Sequence, residues 1–153
     1  MPLQRTARRL VAVGRNHDGR VVRLTPRAAA AWRRMRLAAA CDGVALQPVS
    51  GFRSVRRQAM IIRNKLAEGT AIRAILRFLA APGCSEHHTG RAIDIGSPSA
   101  PDLDAAFART REFRWLKANA VRFGFRLSYP RRNPQQIGYE PWHWCWHEPG
   151  SGL

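Results

Sequence analysis

The segment SEHHTGRAID, residues 85–94, combines a turn with the start of a strand. Thr89 and Gly90 are turn-forming residues, so the chain is expected to reverse direction there. The run AIDIG, residues 92–96, is largely apolar and predicts a short buried strand. The reversal would bring the side chains of His87 and Asp94 to one centre, although their spacing alone does not establish this.

A second strand is predicted near the C-terminus, in the segment EPWHWCWH at residues 140–147. Its three tryptophans alternate with other residues, and the two-residue period of a strand places them on one face. A regular strand would point Glu140 and His143 to opposite faces. Pro141 lies between them and favours a kink or a strand start at this point, which removes that objection.

Helices are predicted around these strands. Thr25 as N-cap, Pro26 at the first helical position, an alanine-rich body and a stop at Gly43 predict the first helix. The remaining helices and short strands are expected as follows: helices at 54–69 with Ser54 as cap, at 70–83 with Thr70 as cap, and within 103–123; strands at 44–49 and 125–129. Because short strands interrupt the helices without regular βαβ alternation, the sequence predicts an α+β fold with a small, mainly antiparallel sheet flanked by helices.

The length of 153 residues fits one domain, which we expect to span residues 25–153. The first 24 residues are polar and Arg-rich, and we expect an arm that belongs to the same unit. Lys and Arg number 26 against 10 Asp and Glu, which gives a net charge of +16. This charge attracts nucleic acid, anionic lipid and anionic cell-wall polymer alike, so it does not choose among them.

Three side chains in the two segments form a candidate metal site: His87, Asp94 and His143. A catalytic zinc ion takes about three protein ligands from His, Asp or Glu and keeps one position open for water. A neighbouring carboxylate must then take a proton from the water, and Glu140 is the candidate general base. Arg53, in a turn that follows a predicted strand, would present a cation to a developing oxyanion or clasp a substrate carboxylate.

Other side chains near these segments are weaker candidates for metal ligands. His147 would lie about 13 Å from His143 along a strand, which is too far for one ion. His88 is expected to point away from His87 or to contact substrate. The three cysteines exclude a framework of several disulfides, while one bridge between Cys84 and Cys145 and free buried thiols both stay open.

Four ordered segments carry a family resemblance. SEHHTGRAID at 85–94 fits the pattern SxHxxGxAxD, and EPWH at 140–143 fits ExWH. With SGFRSVRRQ at 50–58 and WLKANAVRFGFRLSYP at 115–130, the chain resembles the VanY-like D-alanyl-D-alanine carboxypeptidase family of zinc metallopeptidases. The resemblance implies the LAS or hedgehog-like metallopeptidase fold, with a zinc site at the sheet.

The resemblance also implies roles for individual residues. One zinc ion per chain is implied at His87, Asp94 and His143. Glu140 is implied as general base and Arg53 as the residue that stabilises the transition state. Substrate contacts are implied at three further positions: Ser50, Gln58 and Ser85.

The implied function is hydrolysis of the terminal D-Ala-D-Ala bond of peptidoglycan stem peptides by a D,D-carboxypeptidase. An L,D-carboxypeptidase and a phage-type L-alanyl-D-glutamate endopeptidase are alternatives on the same polymer. The segment WCWHEPGSGL, residues 144–153, departs from the aromatic, basic and glycine segment of many relatives, so the bond cleaved stays open. The alternative of another class is a basic nucleic-acid-binding module, which the charge and five tryptophans would suit but for which no standard motif is present.

The expected partners are peptidoglycan stem peptides and anionic cell-wall polymer, with nucleic acid disfavoured and a monomer favoured. The apolar run near the N-terminus, residues 10–14, is too short for a membrane span or for the core of a signal peptide. We therefore expect a periplasmic or cell-wall location if a leader has been removed. Otherwise the protein would stay in the cytoplasm until release, as a phage lysis enzyme does.

Overall fold

The structure, a computed structural model, describes residues 1–150. The last three residues of the predicted domain 25–153 lie outside the described residues. Six strands and four α-helices follow one another in the described part: β1 Val11–Arg15, β2 Val21–Leu24, α1 Pro26–Cys41, β3 Gln47–Ser50, α2 Val55–Ala67, α3 Ile72–Leu76, β4 Ala92–Gly96, α4 Arg111–Asn119, β5 Phe125–Leu127 and β6 His143–Trp146. Short 3-10 segments lie at Glu86–Thr89, Ala105–Arg109 and Ala120–Phe123.

The main sheet has four strands in the order β3-β4-β6-β5, and every neighbouring pair is antiparallel. The strands β1 and β2 form a separate antiparallel pair. The α+β class with a small antiparallel sheet is therefore confirmed. No helix within residues 1–150 is both long and apolar enough to cross a membrane.

The core is formed by one face of α1 together with the sheets and α4. Trp32 and Met35 of α1 are fully buried, and Ile93, Ile95 and Phe125 of the sheet belong to the same apolar cluster. Helix α1 begins at Pro26 as predicted, because proline suits the first helical position, where no backbone N–H is needed. Thr25 precedes the helix but makes no side-chain capping bond.

Two helices differ in how well their ends were predicted. Ser54 caps α2, since its hydroxyl accepts the backbone N–H of Arg57 at 3.1 Å. The third helix was expected from Thr70 to residue 83, but α3 spans only five residues, Ile72–Leu76. The following carbonyls have tertiary partners instead: Arg77 O accepts Gly138 N–H at 2.7 Å, and Ala80 O accepts Gln58 Nε2 at 2.6 Å.

The N-terminal residues contain a hairpin that the sequence analysis missed. Strands β1 and β2 lie within the expected arm, and Val13, Val22 and Leu24 are buried in the core. The turn between the strands is held by Asn16, whose Oδ1 accepts two backbone N–H groups, at 3.1 and 2.9 Å. Each strand has only four or five residues and includes an arginine, so neither showed a clear alternation of apolar and polar residues.

The strand β6 begins later than predicted, at His143 instead of Glu140. Residues 140–142 form a turn in which His143 N–H donates to Glu140 O at 3.2 Å. Glu140 and His143 are therefore not subject to strand alternation. Of the two alternatives at Pro141, a kink or a strand start, the structure shows a turn followed by the start of β6, and the side chains of Glu140 and His143 approach to 3.9 Å.

Candidate metal centre

The centre lies in one row across three strands. In the antiparallel register Ser50 of β3 lies opposite Asp94 of β4, and Asp94 lies opposite His143 of β6. Directly opposed side chains in antiparallel strands are close neighbours. The sheet therefore places the Asp94 carboxylate next to the His143 imidazole, with Asp94 Oδ1 3.1 Å from His143 Nδ1.

His87 reaches the same point from the 3-10 segment that precedes β4. Ser85 caps this segment by accepting His87 N–H at 3.3 Å. The His87 Nδ1–H donates to Gly51 O at 2.7 Å, so Nε2 is the atom turned toward Asp94 Oδ2, 3.3 Å away. Gly51 is needed at this position because a Cβ would lie 2.9 Å from Val22 Cγ1 and would overlap the carbonyl of Arg23.

The arrangement of His87 and Asp94 fits a bound cation. Burial lowers the pKa of His87, so the ring is neutral near pH 7 and its proton lies on Nδ1. The Nε2 lone pair then faces the buried Asp94 carboxylate, whose Oδ2 is 3.3 Å away. Burial opposes ionisation of Asp94, but the hydrogen bond from His143 and its positive charge help to hold the pKa of Asp94 below its usual range. A metal ion bound by both His87 and Asp94 would relieve the repulsion between the two facing lone pairs.

The donor set and its spacing suit zinc. One ligand atom from each of the buried residues His87, Asp94 and His143 lies within 4.8 Å of the other two. Ligand atoms at about 2.0–2.2 Å from a tetrahedral ion are separated by about 3.3–3.6 Å, a spacing that small movements of these side chains would reach. Two imidazoles and one carboxylate are a donor set of catalytic zinc sites, which keep a further position open.

The His143 ring has carboxylates on both of its nitrogens. Nδ1 faces Asp94 Oδ1, while Nε2 lies 2.9 Å from Glu86 Oε2. Burial opposes the charged ring, but the hydrogen bonds to Asp94 and Glu86 prevail and raise the pKa of His143 to about 10. A bound metal ion would take the place of the proton on Nδ1.

Glu140 lies beside the three predicted ligands. Its Oε2 is 3.9 Å from His143 Nδ1, and its side chain lines the cleft. Burial raises the pKa of Glu140 to about 7, and the nearby positive charge of His143 acts in the opposite direction. A carboxylate with a pKa near the working pH both accepts and releases a proton readily, which is what general acid–base catalysis requires.

Arg53 is held at the cleft by two polar side chains. Its guanidinium donates to Gln58 Oε1 at 2.9 Å and to Ser50 Oγ at 3.4 Å. The Gln58 amide is in turn fixed because its Nε2 donates to Ala80 O. Gln58 and Arg53 line the cleft, whereas Ser50 is not among the described residues that line it and contacts the site through Arg53.

His88 has a structural position instead of a place in the cleft. The ring is fully buried, its Nδ1–H donates to Arg53 O at 2.6 Å, and its Nε2 accepts the backbone N–H of Gly83 at 3.1 Å. His88 therefore points away from the centre, one of the two alternatives given by the sequence. It connects the loop that carries Arg53 to the loop before His87.

Replacing His88 with alanine is expected to lower the free energy of unfolding by about 2–4 kcal/mol, because one buried acceptor and one buried N–H lose their partner and a cavity remains. Urea unfolding of the purified variant measures the loss. His17→Ala is the matched control, since His17 is exposed and its ion pairs with Asp18 and Asp102 are worth about 0–1 kcal/mol. Equal stabilities of the two variants would contradict the prediction.

Other chemistry-bearing residues are not brought to the centre. Cys41, Cys84 and Cys145 are free thiols, and the bridge between Cys84 and Cys145 that the sequence left open is not formed. His147 lies beyond the far end of β6, where its backbone N–H donates to Gly124 O. It lines a separate surface depression together with several arginines.

The cleft has a volume of about 440 Å³ and is lined by both polar and apolar side chains. Its polar groups include the metal-ligand candidates, Glu140, Arg53 and the hydroxyl of Ser85. The rest of the wall is mostly apolar and aromatic, with Phe78, Leu79, Leu103, Tyr129, Ile137 and Trp142, and it also includes the charged residues Lys65 and Asp104. A cleft of this size suits a short peptide.

Two residues next to the centre were not identified as functional from the sequence. Tyr129 packs against His143 with ring centroids 4.8 Å apart and ring planes tilted by 37°. Glu86 bonds both His143 Nε2 and Ser128 Oγ. The position of Glu86 next to the predicted ligand His87 is the one sequence feature that pointed to a role. No local pattern, however, pairs Glu86 with a histidine 57 residues away.

Sequence comparisons agree with this geometry. The family profile for VanY, described as D-alanyl-D-alanine carboxypeptidase, matches residues 21–149. The chain is 40% identical over 110 residues to the putative carboxypeptidase YodJ of Bacillus subtilis (strain 168), covering 69% of this chain and 40% of that protein. It is 32% identical over 133 residues to the bifunctional D-Ala-D-Ala dipeptidase and D-Ala-D-Ala carboxypeptidase VanXYC of Enterococcus gallinarum, covering 84% of this chain and 67% of that one. The chain thus spans about two fifths of the length of YodJ.

Solved structures give the same result. The LD-carboxypeptidase LdcB, whose structure concerns peptidoglycan recognition, superposes with a TM-score of 0.82 at 33% identity, covering 95% of this chain and 71% of that one. A mutant of the vancomycin-resistance D,D-pentapeptidase VanY in complex with Zn(II) has a TM-score of 0.71 at 29% identity, covering 90% of this chain and 77% of that one. The similarity therefore extends over nearly the whole fold and includes a neighbour that binds zinc.

Proposed function

Because the chain belongs to the VanY family of D-alanyl-D-alanine carboxypeptidases, we propose that it is a zinc peptidase that removes the terminal D-alanine from peptidoglycan stem peptides ending in D-Ala-D-Ala. The observation that carries the proposal is the buried cluster of His87, Asp94 and His143 in the wall of a peptide-sized cleft. Glu140 and Arg53 line the same cleft, so it holds a base and a fixed cation together with the metal-ligand candidates.

His87, Asp94 and His143 would hold the zinc ion, which supplies Lewis-acid chemistry that activates water and polarises a carbonyl. The Glu140 carboxylate takes one proton from the attacking water at a carboxylate oxygen. The water oxygen bonds to the carbonyl carbon, the C–N bond breaks, and Glu140 passes the proton to the amine nitrogen of the departing D-alanine. Its position 3.9 Å from His143 Nδ1 keeps this proton transfer next to the centre.

Arg53 stabilises negative charge that develops on the carbonyl oxygen or holds a substrate carboxylate. Its guanidinium is fixed by Gln58 and Ser50 before substrate binds, so little reorganisation is needed during the reaction. Ser85 and Gln58 line the cleft and offer polar contacts to the peptide backbone. Ser50 contributes by holding Arg53 in place.

An L,D-carboxypeptidase is the second candidate, because the structure of the LD-carboxypeptidase LdcB superposes with a TM-score of 0.82. Defined stem peptides of three, four and five residues separate the candidates when their products are identified by mass. We expect the pentapeptide to lose one D-alanine while the tetrapeptide is stable. Conversion of the tetrapeptide to the tripeptide would support the L,D-carboxypeptidase instead, and a cut after L-alanine would support an endopeptidase.

We further propose that the enzyme acts at the cell wall, where its net charge of +16 attracts anionic wall polymer. Binding to purified sacculi that weakens as salt is raised would support this partner. Equal binding at low and high salt would contradict it.

Replacing Arg53 with alanine is expected to lower kcat/KM on the preferred stem peptide about 100–1000-fold, because one preorganised donor to the transition state is lost. Steady-state kinetics with the purified variant measure the effect. The matched control is Arg57→Ala, since Arg57 is exposed on the neighbouring helix and does not line the cleft. A variant at Arg53 that keeps more than a tenth of wild-type activity would exclude the assigned role.

A further inference from the structure

We propose that Glu86 is a positioning residue that, together with Ser128, holds the His143 imidazole with Nδ1 directed at the metal centre. Glu86 Oε2 lies 2.9 Å from His143 Nε2 and accepts the Ser128 hydroxyl at 2.6 Å. This inference rests on the proposed zinc-peptidase function. Glu86 lies outside the ligand set and controls the orientation of one candidate ligand, His143.

The hydrogen bond to Glu86 decides which nitrogen of His143 is free. When a metal ion takes the place of the proton on Nδ1, the one proton left on the imidazole is on Nε2, where the Glu86 carboxylate accepts it. The lone pair then lies on Nδ1, the atom that faces Asp94 Oδ1 at 3.1 Å and Glu140 Oε2 at 3.9 Å. Without the carboxylate the proton would be free to occupy Nδ1 and block that atom as a metal ligand.

Glu86 is itself held from two directions. Its backbone carbonyl accepts the Thr89 hydroxyl at 2.6 Å, which fixes the 3-10 segment that also carries His87. Its side chain is fixed by Ser128, which follows β5. Glu86 therefore connects the segment that presents His87 to the end of β5, and its bond to His143 Nε2 connects both to β6.

The two histidines have different partners on the nitrogen that faces away from the centre. His87 donates to a neutral carbonyl, that of Gly51, whereas His143 is paired with a charged carboxylate. A carboxylate partner raises the basicity of a ligand histidine more than a carbonyl does. Glu86 is thus expected to strengthen the His143 ligand as well as orient it.

The position of Glu86 argues against direct participation in peptide cleavage. Glu86 is not among the described residues that line the cleft, while His143 and Glu140 are. The carboxylate lies on the Nε2 side of the His143 ring, whereas Nδ1 faces Asp94 and Glu140. Its effect must therefore pass through His143.

The test compares zinc affinity of wild type, Glu86→Gln and Ser128→Ala, each stripped of metal and titrated in competition with a chelator of known affinity. Glutamine has nearly the same size as glutamate but no charge, so we expect a 10–100-fold weaker zinc affinity. Ser128→Ala is expected to weaken it less, by under about 10-fold. Glu68→Gln is the matched control, because Glu68 is an exposed residue at the C-terminal end of α2, and its affinity should equal that of wild type.

A second measurement separates positioning from general loss of structure. The cobalt-substituted proteins are compared by visible absorption, and Glu86→Gln is expected to shift the d–d bands. In urea unfolding without metal, the midpoint of Glu86→Gln is expected to equal that of the control variant Glu68→Gln. Wild-type zinc affinity together with an unchanged cobalt spectrum would overturn the inference. If Glu86→Gln does not fold, Ser128→Ala decides, and an unchanged affinity in that variant would overturn the inference.

The outcome is independent of the bond that the enzyme cleaves. A weakened metal site in Glu86→Gln supports the positioning role even if no stem peptide is hydrolysed, in which case only the proposed function fails. Full zinc affinity and an unchanged cobalt spectrum in Glu86→Gln, alongside D-alanine release by the wild type, reject the positioning role and leave the proposed function intact.

Discussion

Glu140→Gln is expected to lower kcat for D-alanine release by about 1000-fold, within the range of about 100–10,000-fold that general acid–base catalysis contributes, while one zinc ion per chain stays bound. Glutamine keeps the size of the side chain but cannot take a proton from water. The three candidate ligands are untouched by the change. The loss should therefore appear in kcat and not in metal content.

Two measurements check this expectation. Steady-state kinetics on the preferred stem peptide give kcat, and elemental analysis of the dialysed protein gives the zinc content. Glu68→Gln serves again as the control, since Glu68 is exposed and does not line the cleft. Full activity of Glu140→Gln on muropeptides would rule out Glu140 as the base.

His87→Ala is expected to abolish both stoichiometric zinc and activity. Loss of the His87 ligand removes a bond to the ion and leaves the buried Asp94 carboxylate without its neighbour. The zinc affinity should therefore fall by more than the roughly 10–100-fold expected for a change at Glu86, which lies outside the ligand set. Because a bound ion stabilises only the folded state, wild-type protein should melt at a lower temperature after chelation and regain its Tm with zinc.

The variant should respond differently. The Tm of His87→Ala is expected to be the same with and without added zinc, and elemental analysis should find well under one ion per chain. His17→Ala, at an exposed histidine, is the control and should bind zinc as wild type does. Tight stoichiometric zinc in His87→Ala would show that the ion is held elsewhere.

Much of the fold was predictable because its signals are local. Pro26 and the alanine-rich segment predicted α1, Ser54 predicted the start of α2, and the apolar run at 92–96 predicted β4, all of which the structure confirms. Each depends on residues only a few positions apart. The hairpin β1–β2 was missed because its strands are short, each includes an arginine, and they are stabilised by the core that they join.

The length of α3 shows where local propensity fails. The sequence from Thr70 to residue 83 has apolar residues at helical spacing, yet α3 ends at Leu76. The carbonyls that would have continued the helix accept hydrogen bonds from Gln58 and Gly138. These partners lie 22 and 61 residues away from Ala80 and Arg77, so no local pattern identifies them.

The sequence by itself determined which residue types are available for metal chemistry and in what order, because SxHxxGxAxD and ExWH are short, local patterns. The tertiary structure decided which atoms meet. The antiparallel register aligned Ser50, Asp94 and His143 in one row, and the Gly51 carbonyl and the Glu86 carboxylate fixed which nitrogen of each histidine faces the centre. These contacts join residues 36 to 57 positions apart, and their geometry arises only when the sheet and its loops pack together.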